Sequence, residues 1–134
     1  MGIAAYKRTI TETESPRQIE RRVFLGVTAQ MEAFQQDFDN ADGPAAKLYI
    51  LSNGLRQALW QNEQVWLTVR TDLLEPENAL SQELRAGLIS LAIWVERHTQ
   101  LALQGSEDIG PLIDINRGII LGLEGTHGET KGAA

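Results

Sequence analysis

PAAKLYILSNGLRQALWQNEQVWLTVRTDLLEP, residues 44–76, places Leu48, Leu51, Leu55, Leu59, Asn62, Trp66, Val69 and Leu73 in steps of three or four. Those steps keep one face of an α-helix apolar, because a turn takes 3.6 residues, whereas a strand would alternate by two. Pro44 suits the first turn of a helix, where no backbone N–H is needed, and Pro76 pushes Glu75 toward extended backbone and closes the run. The spacing predicts one long helix between the two prolines. Gly54 lies inside it at a cost of about 1 kcal/mol relative to alanine, and marks a kink or a close helix contact.

Upstream, Ser15-Pro16-Arg17-Gln18 combines a serine cap, a proline at the first helical position and a glutamine three residues after the cap. A helix is expected to start there, with a stripe through Ile19, Val23, Val27, Met31, Phe34 and Phe38 and a polar turn over residues 39–43. Downstream, Ser81 can cap a third long helix through Leu84, Leu88, Leu91, Val95 and Thr99 that stops at Gly105, and Ile89, Ile93 and Trp94 widen its apolar face. Pro111 opens a last, short helix with Leu112, Asn116, Ile119 and Leu123 on one side. Strand alternation bounded by hairpin turns is absent. The fold class is therefore all-α, a small bundle of three long helices and one short C-terminal helix. One domain is expected over residues 1–124. Residues 1–14 form a partly mobile arm in which Ile3, Tyr6 and Ile10 could make a short helical stretch, and residues 125–134 a disordered tail.

A length of 134 residues and 43% hydrophobic content suffice for one core. The longest apolar runs, residues 87–95 and 119–123, are too short for membrane insertion. No secretory leader is legible at the N-terminus, so a cytoplasmic location is expected. With no cysteine, disulfides, thiolate metal sites and cysteine nucleophiles are excluded. The net charge of -6 repels phosphate backbones and disfavours direct nucleic-acid binding. Arg17, Arg21 and Arg22 could still form a local basic patch, although such a cluster is usually a solvated helix face.

Catalytic constellations are not found. Around His98, Glu96 and Arg97 do not share its helix face, and Trp94 and Ala102 occupy its neighbouring turns, so a structural role is expected. Gly118, Gly122, Gly125 and Gly128 follow no strand and have no lysine-serine partner, so they are no phosphate loop. Asp37/Asp39 and Glu107/Asp108 stand beside turns, where acidic residues serve as caps. No enzymatic activity, cofactor or metal is expected. Asn62, Asp114, Asn116 and Arg117 are polar residues within apolar seams. Buried polar groups need hydrogen-bond partners, so these residues either set the register of the bundle, or contact a partner or cap a neighbouring helix.

Several stretches together give the chain a likeness. They are Glu14 to Arg17, Ile19-Glu20, Val23-Phe24, Asn62 with Trp66, Asp72-Leu73, PENALSQELRAGLISLAIWVERHT at 76–99 and PLIDINRGIILGL at 111–123. In this ordered set the chain resembles the flagellin-biosynthesis regulator family FlaF of alphaproteobacteria. Ser81 stands where the family often has proline, and either residue can begin a helix. The resemblance implies a cytoplasmic, non-enzymatic protein that promotes flagellin synthesis and export. It also implies opposition to FlbT, a regulator associated with flagellin messenger RNA. Flagellin is the implied partner, FlbT a second one, and a flagellin-binding secretion chaperone the implied mechanism. The alternatives are an RNA-binding translational regulator and an adaptor acting only through FlbT. A wide apolar surface on a small acidic bundle suits an amphipathic helix laid in a groove. That groove is expected between the third and fourth helices, with Ile89, Ile93, Ile115 and Ile119 as its lining and Asn116 and Arg117 beside them.

Overall fold

The computed structural model describes the backbone of residues 16–133 and, within it, the side chains of residue 18 and residues 20–124. The expected arm, the Ser15 cap and the side chains of the expected tail lie outside the described residues. Helix α1 is Pro16–Asp39. Helix α2 has two helical pieces, Gly43–Ile50 and Arg56–Leu74, joined through Leu51–Leu55, where the backbone of Asn53 and Gly54 leaves the helical range and kinks the helix. Helices α3, Gln82–Leu103, and α4, Gly110–Ala133, complete the order. Among the described residues there is no strand, and the all-α bundle read from the sequence is the fold. Gly118 and Gly122 weaken α4 but do not break it.

The helix ends follow local chemistry. Ser81 Oγ accepts from the Leu84 N–H at 3.2 Å, and Glu75 before Pro76 is extended at ψ 133°. Gly105, at φ 76°, donates to the Ala102 carbonyl while Ser106 donates to that of Leu101, which closes α3 in a Schellman motif. Two caps come from other helices. Asp39, ending α1, accepts from the Ile109 and Gly110 N–H groups at the start of α4, at 2.8 and 3.0 Å. Arg85 of α3 donates to the Leu73 and Glu75 carbonyls at the end of α2.

These links set the packing. Arg21–Glu124 at one end and Asp39–Gly110 at the other make α1 and α4 antiparallel neighbours. Arg70–Glu96 and Gln100–Glu63 do the same for α2 and α3, and Phe24 on Trp66 joins α1 to α2. Helices α3 and α4 meet at few positions. Met31, Phe38, Leu51, Leu55, Leu59, Val95, Leu112 and Ile113 fill the core, each contributing about 1.5–3 kcal/mol by leaving water. Three expected core positions are exposed. Val23 gives way to Phe24, whose ring meets Trp66, Leu48 precedes the kink at Asn53 and Gly54, across which the helical register shifts, and Leu84 stands in the first turn of α3.

Gly54 is both the kink and the close contact. Its φ is 128°, and a Cβ there would lie 2.8 Å from Phe34 Cζ. Gly54→Ala should therefore cost about 2–3 kcal/mol, from backbone strain and from a displaced ring. Denaturant unfolding checks this, and a loss below about 0.5 kcal/mol would mean that Phe34 moves aside and the backbone relaxes.

Candidate functional site

Within the core, three helices meet at Asn116. The Trp66 indole N–H donates to Asn116 Oδ1 at 2.9 Å, while Asn116 Nδ2 donates to Asn62 Oδ1 at 2.8 Å and to Thr28 Oγ1 at 3.0 Å. Thr28 Oγ1 in turn donates to the Phe24 carbonyl. An indole nitrogen can only donate, so it fixes which end of the Asn116 amide faces Trp66, and that choice fixes Asn62 in turn. Phe24 meets the Trp66 ring edge-on, with centroids 5.5 Å apart. Asn62 Nδ2 is buried with no acceptor among the described residues. The cluster holds no titratable side chain and ties α1, α2 and α4 together.

The surface of the α2/α3 hairpin is different in kind. Leu59, Trp66 and Leu73 point into the core, while the residue after each, Trp60, Leu67 and Leu74, is 53%, 54% and 58% exposed. Seven residues are close to two turns, so these three stand in one outer row. Across from them on α3, Ile89, Ile93, Glu96 and Gln100 are spaced four, three and four, and therefore share a flank. Glu96 pairs with Arg70 at 2.8 Å, and Gln100 reaches Glu63 at 3.4 Å, so that flank faces α2. A cleft of about 270 Å³ opens between the helices, lined by Trp60, Glu63, Leu67, Arg70, Ala92 and Val95 among others. Burial raises the pKa of Glu63, the Gln100 amide lowers it, and the nearby Glu96 charge raises it again. Among the described residues no three of His, Cys, Asp and Glu come together as a metal site, and no helix is long and apolar enough to cross a membrane.

A family model described as flagellar protein FlaF matches residues 3–123. The chain belongs to the FlaF family. Nothing among curated proteins or solved structures matches it. In this FlaF-family protein the expected site residues do not form one groove. Ile89 and Ile93 lie on the α2-facing flank of α3, each one position beyond the inward residues Leu88 and Ala92, hence about 100° further round. Ile115 and Ile119 belong to α4, on the flank opposite Arg117 and Glu124, and pack against the core edge. Asn116 is 0% exposed, and its amide is used within the core, so it contacts no partner. Arg117 is exposed and pairs with Glu32 of α1. His98 Nε2 donates to the Asp108 carbonyl at 2.8 Å, and its ring stacks on Trp94, which pins the α3–α4 turn.

The row Trp60, Leu67 and Leu74 and the acid Glu63 were missed in the sequence. Their signal was a second apolar heptad, one residue behind the inner one.

Proposed function

We propose that this FlaF-family protein binds flagellin in the cytoplasm before export, and that by holding it the protein promotes flagellin synthesis and secretion. The observation that carries this reading is the outer row Trp60, Leu67 and Leu74, with the 39%-exposed Ile93 on the neighbouring helix, on an otherwise acidic bundle. Large apolar side chains left in water at helical spacing suit the apolar face of a second helix, which docks by inserting anchors at i, i+3, i+4 and i+7. Unassembled flagellin would expose such helices. The revised binding face keeps Ile89 and Ile93 and replaces Ile115, Ile119 and Asn116 with Trp60, Leu67 and Leu74.

Direct RNA binding has little support. The chain carries -6 net charge, and Arg21 is engaged by Glu124 at 2.9 Å. Titrating purified flagellin onto the full chain at low and high salt tests the proposal. Saturable binding with little salt dependence is expected, because apolar burial dominates. Absence of binding would overturn the flagellin assignment. Should flagellin messenger RNA bind instead, with affinity falling steeply with salt, the RNA-binding alternative would replace it. Capture of FlbT without flagellin would favour the adaptor role.

A further inference from the structure

Along the outer row of α2, Trp60, Glu63, Leu67 and Arg70 follow one another in steps of three, four and three, so an acid sits on one helix face between a tryptophan and a leucine. All four line the cleft against α3. Arg70, the one cation lining it among the described residues, is committed to Glu96 at 2.8 Å. Glu63 is half-buried, and its contact among the described residues is the neutral Gln100 amide at 3.4 Å, near the limit of a hydrogen bond. The cleft thus pairs apolar walls with a carboxylate that has no cation of its own among the described residues.

We infer that the α2/α3 cleft receives an amphipathic partner helix that places a lysine or arginine against Glu63 and large apolar side chains on either side of it, beside Trp60 and Leu67. The inference rests on reading this face as the docking site and adds the charge that its occupant must carry. A long basic side chain fits for three reasons. Its methylenes can lie along Trp60 and Leu67 while the charged end reaches the acid, its cation can sit over the exposed indole, and the overall charge of -6 attracts basic partners. The groups facing Glu63 agree. Glu96 repels its charge from α3, Arg70 on α2 is occupied, and Gln100 is neutral. Burial already disfavours the bare carboxylate, and an incoming cation would relieve that penalty. A purely apolar helix would leave the acid desolvated and unpaired.

The test uses the full chain and two helix-forming peptides of about 18 residues. Each carries leucines seven apart and, three residues after the first, either lysine or glutamine. The parent protein should bind the lysine peptide about tenfold more tightly, and the E63Q variant should bind both alike. E63Q should melt no lower than the parent at neutral pH. The sign follows from the raised pKa: between the unfolded and folded values the native state binds more protons, so the ionised carboxylate weakens the fold as pH rises, and glutamine removes that effect. Equal binding of both peptides by the parent, binding of neither, or a lysine preference that survives E63Q would each overturn the inference. Flagellin titrated in parallel separates the two readings. If the parent binds flagellin and shows no lysine preference, only the charge inference fails. A parent that shows the preference and ignores flagellin leaves the cleft as described and removes flagellin as its occupant.

Discussion

Asn116→Ala is expected to lower the stability of the bundle by about 3–5 kcal/mol, measured by chemical denaturation, because one side chain satisfies groups from two other helices. Its removal leaves the Trp66 indole N–H without an acceptor and the Asn62 carbonyl oxygen without a donor, both buried. Each orphaned group costs about 1–3 kcal/mol, and the space left by the amide adds a cavity. Thr28 loses less, since its hydroxyl still donates to the Phe24 carbonyl. Asn116→Asp separates hydrogen bonding from packing. It preserves the shape but sets a carboxylate against two oxygens, Asn62 Oδ1 and Thr28 Oγ1. At neutral pH it should therefore be as destabilised as the alanine variant, and in acid, where the neutral group offers one donor, it should gain relative to alanine. If Asn116→Asp unfolds like the parent at neutral pH, the amide donors are not what holds the three helices in register.

Trp66→Ala should also cost about 3–5 kcal/mol, chiefly from the cavity left beside Phe24 and in the core. The indole is 3% exposed and carries a single polar group, whose partner is Asn116. Trp66→Phe retains most of the ring and removes that group, so it should cost less, about 1–2 kcal/mol, for an Asn116 oxygen left unpaired. The expected order of stability is parent, phenylalanine, alanine. An alanine variant that unfolds with the parent would mean that the inner seam of α2 is misassigned, and a phenylalanine variant that does so would mean that the indole bond contributes nothing net.

Most of the fold was legible because its signals are local. Pro44, Pro76, Ser81, Gly105 and Pro111 act on the backbone within a residue or two of themselves, and the helix ends fall where those residues require. Gly54 was legible as a choice between a kink and a close contact, and the answer is both, since Phe34 comes from another helix. What the sequence could not supply was which flank of a broad apolar helix meets which neighbour. Ile89 and Ile93 were legible as surplus apolar surface on α3, but only the ties from Glu96 to Arg70 and from Gln100 to Glu63 show that this flank faces α2 rather than α4. Asn116 was legible as costly to bury, and its being a core hub depends on Thr28 and Asn62 arriving from positions far away in the chain.

Binding of flagellin by a Leu67→Asp variant bears most directly on the outer face of α2. Leu67 is 54% exposed, so an acid there should change stability by no more than about 0.5 kcal/mol, and a melting curve alongside establishes that the fold is retained. With purified flagellin titrated onto parent and variant under the same conditions, the variant should bind at least about tenfold more weakly, or 1.4 kcal/mol, because a charge would replace an apolar anchor at the centre of the docked helix. A variant that melts with the parent and binds flagellin equally well would contradict the assignment of this face as the flagellin site.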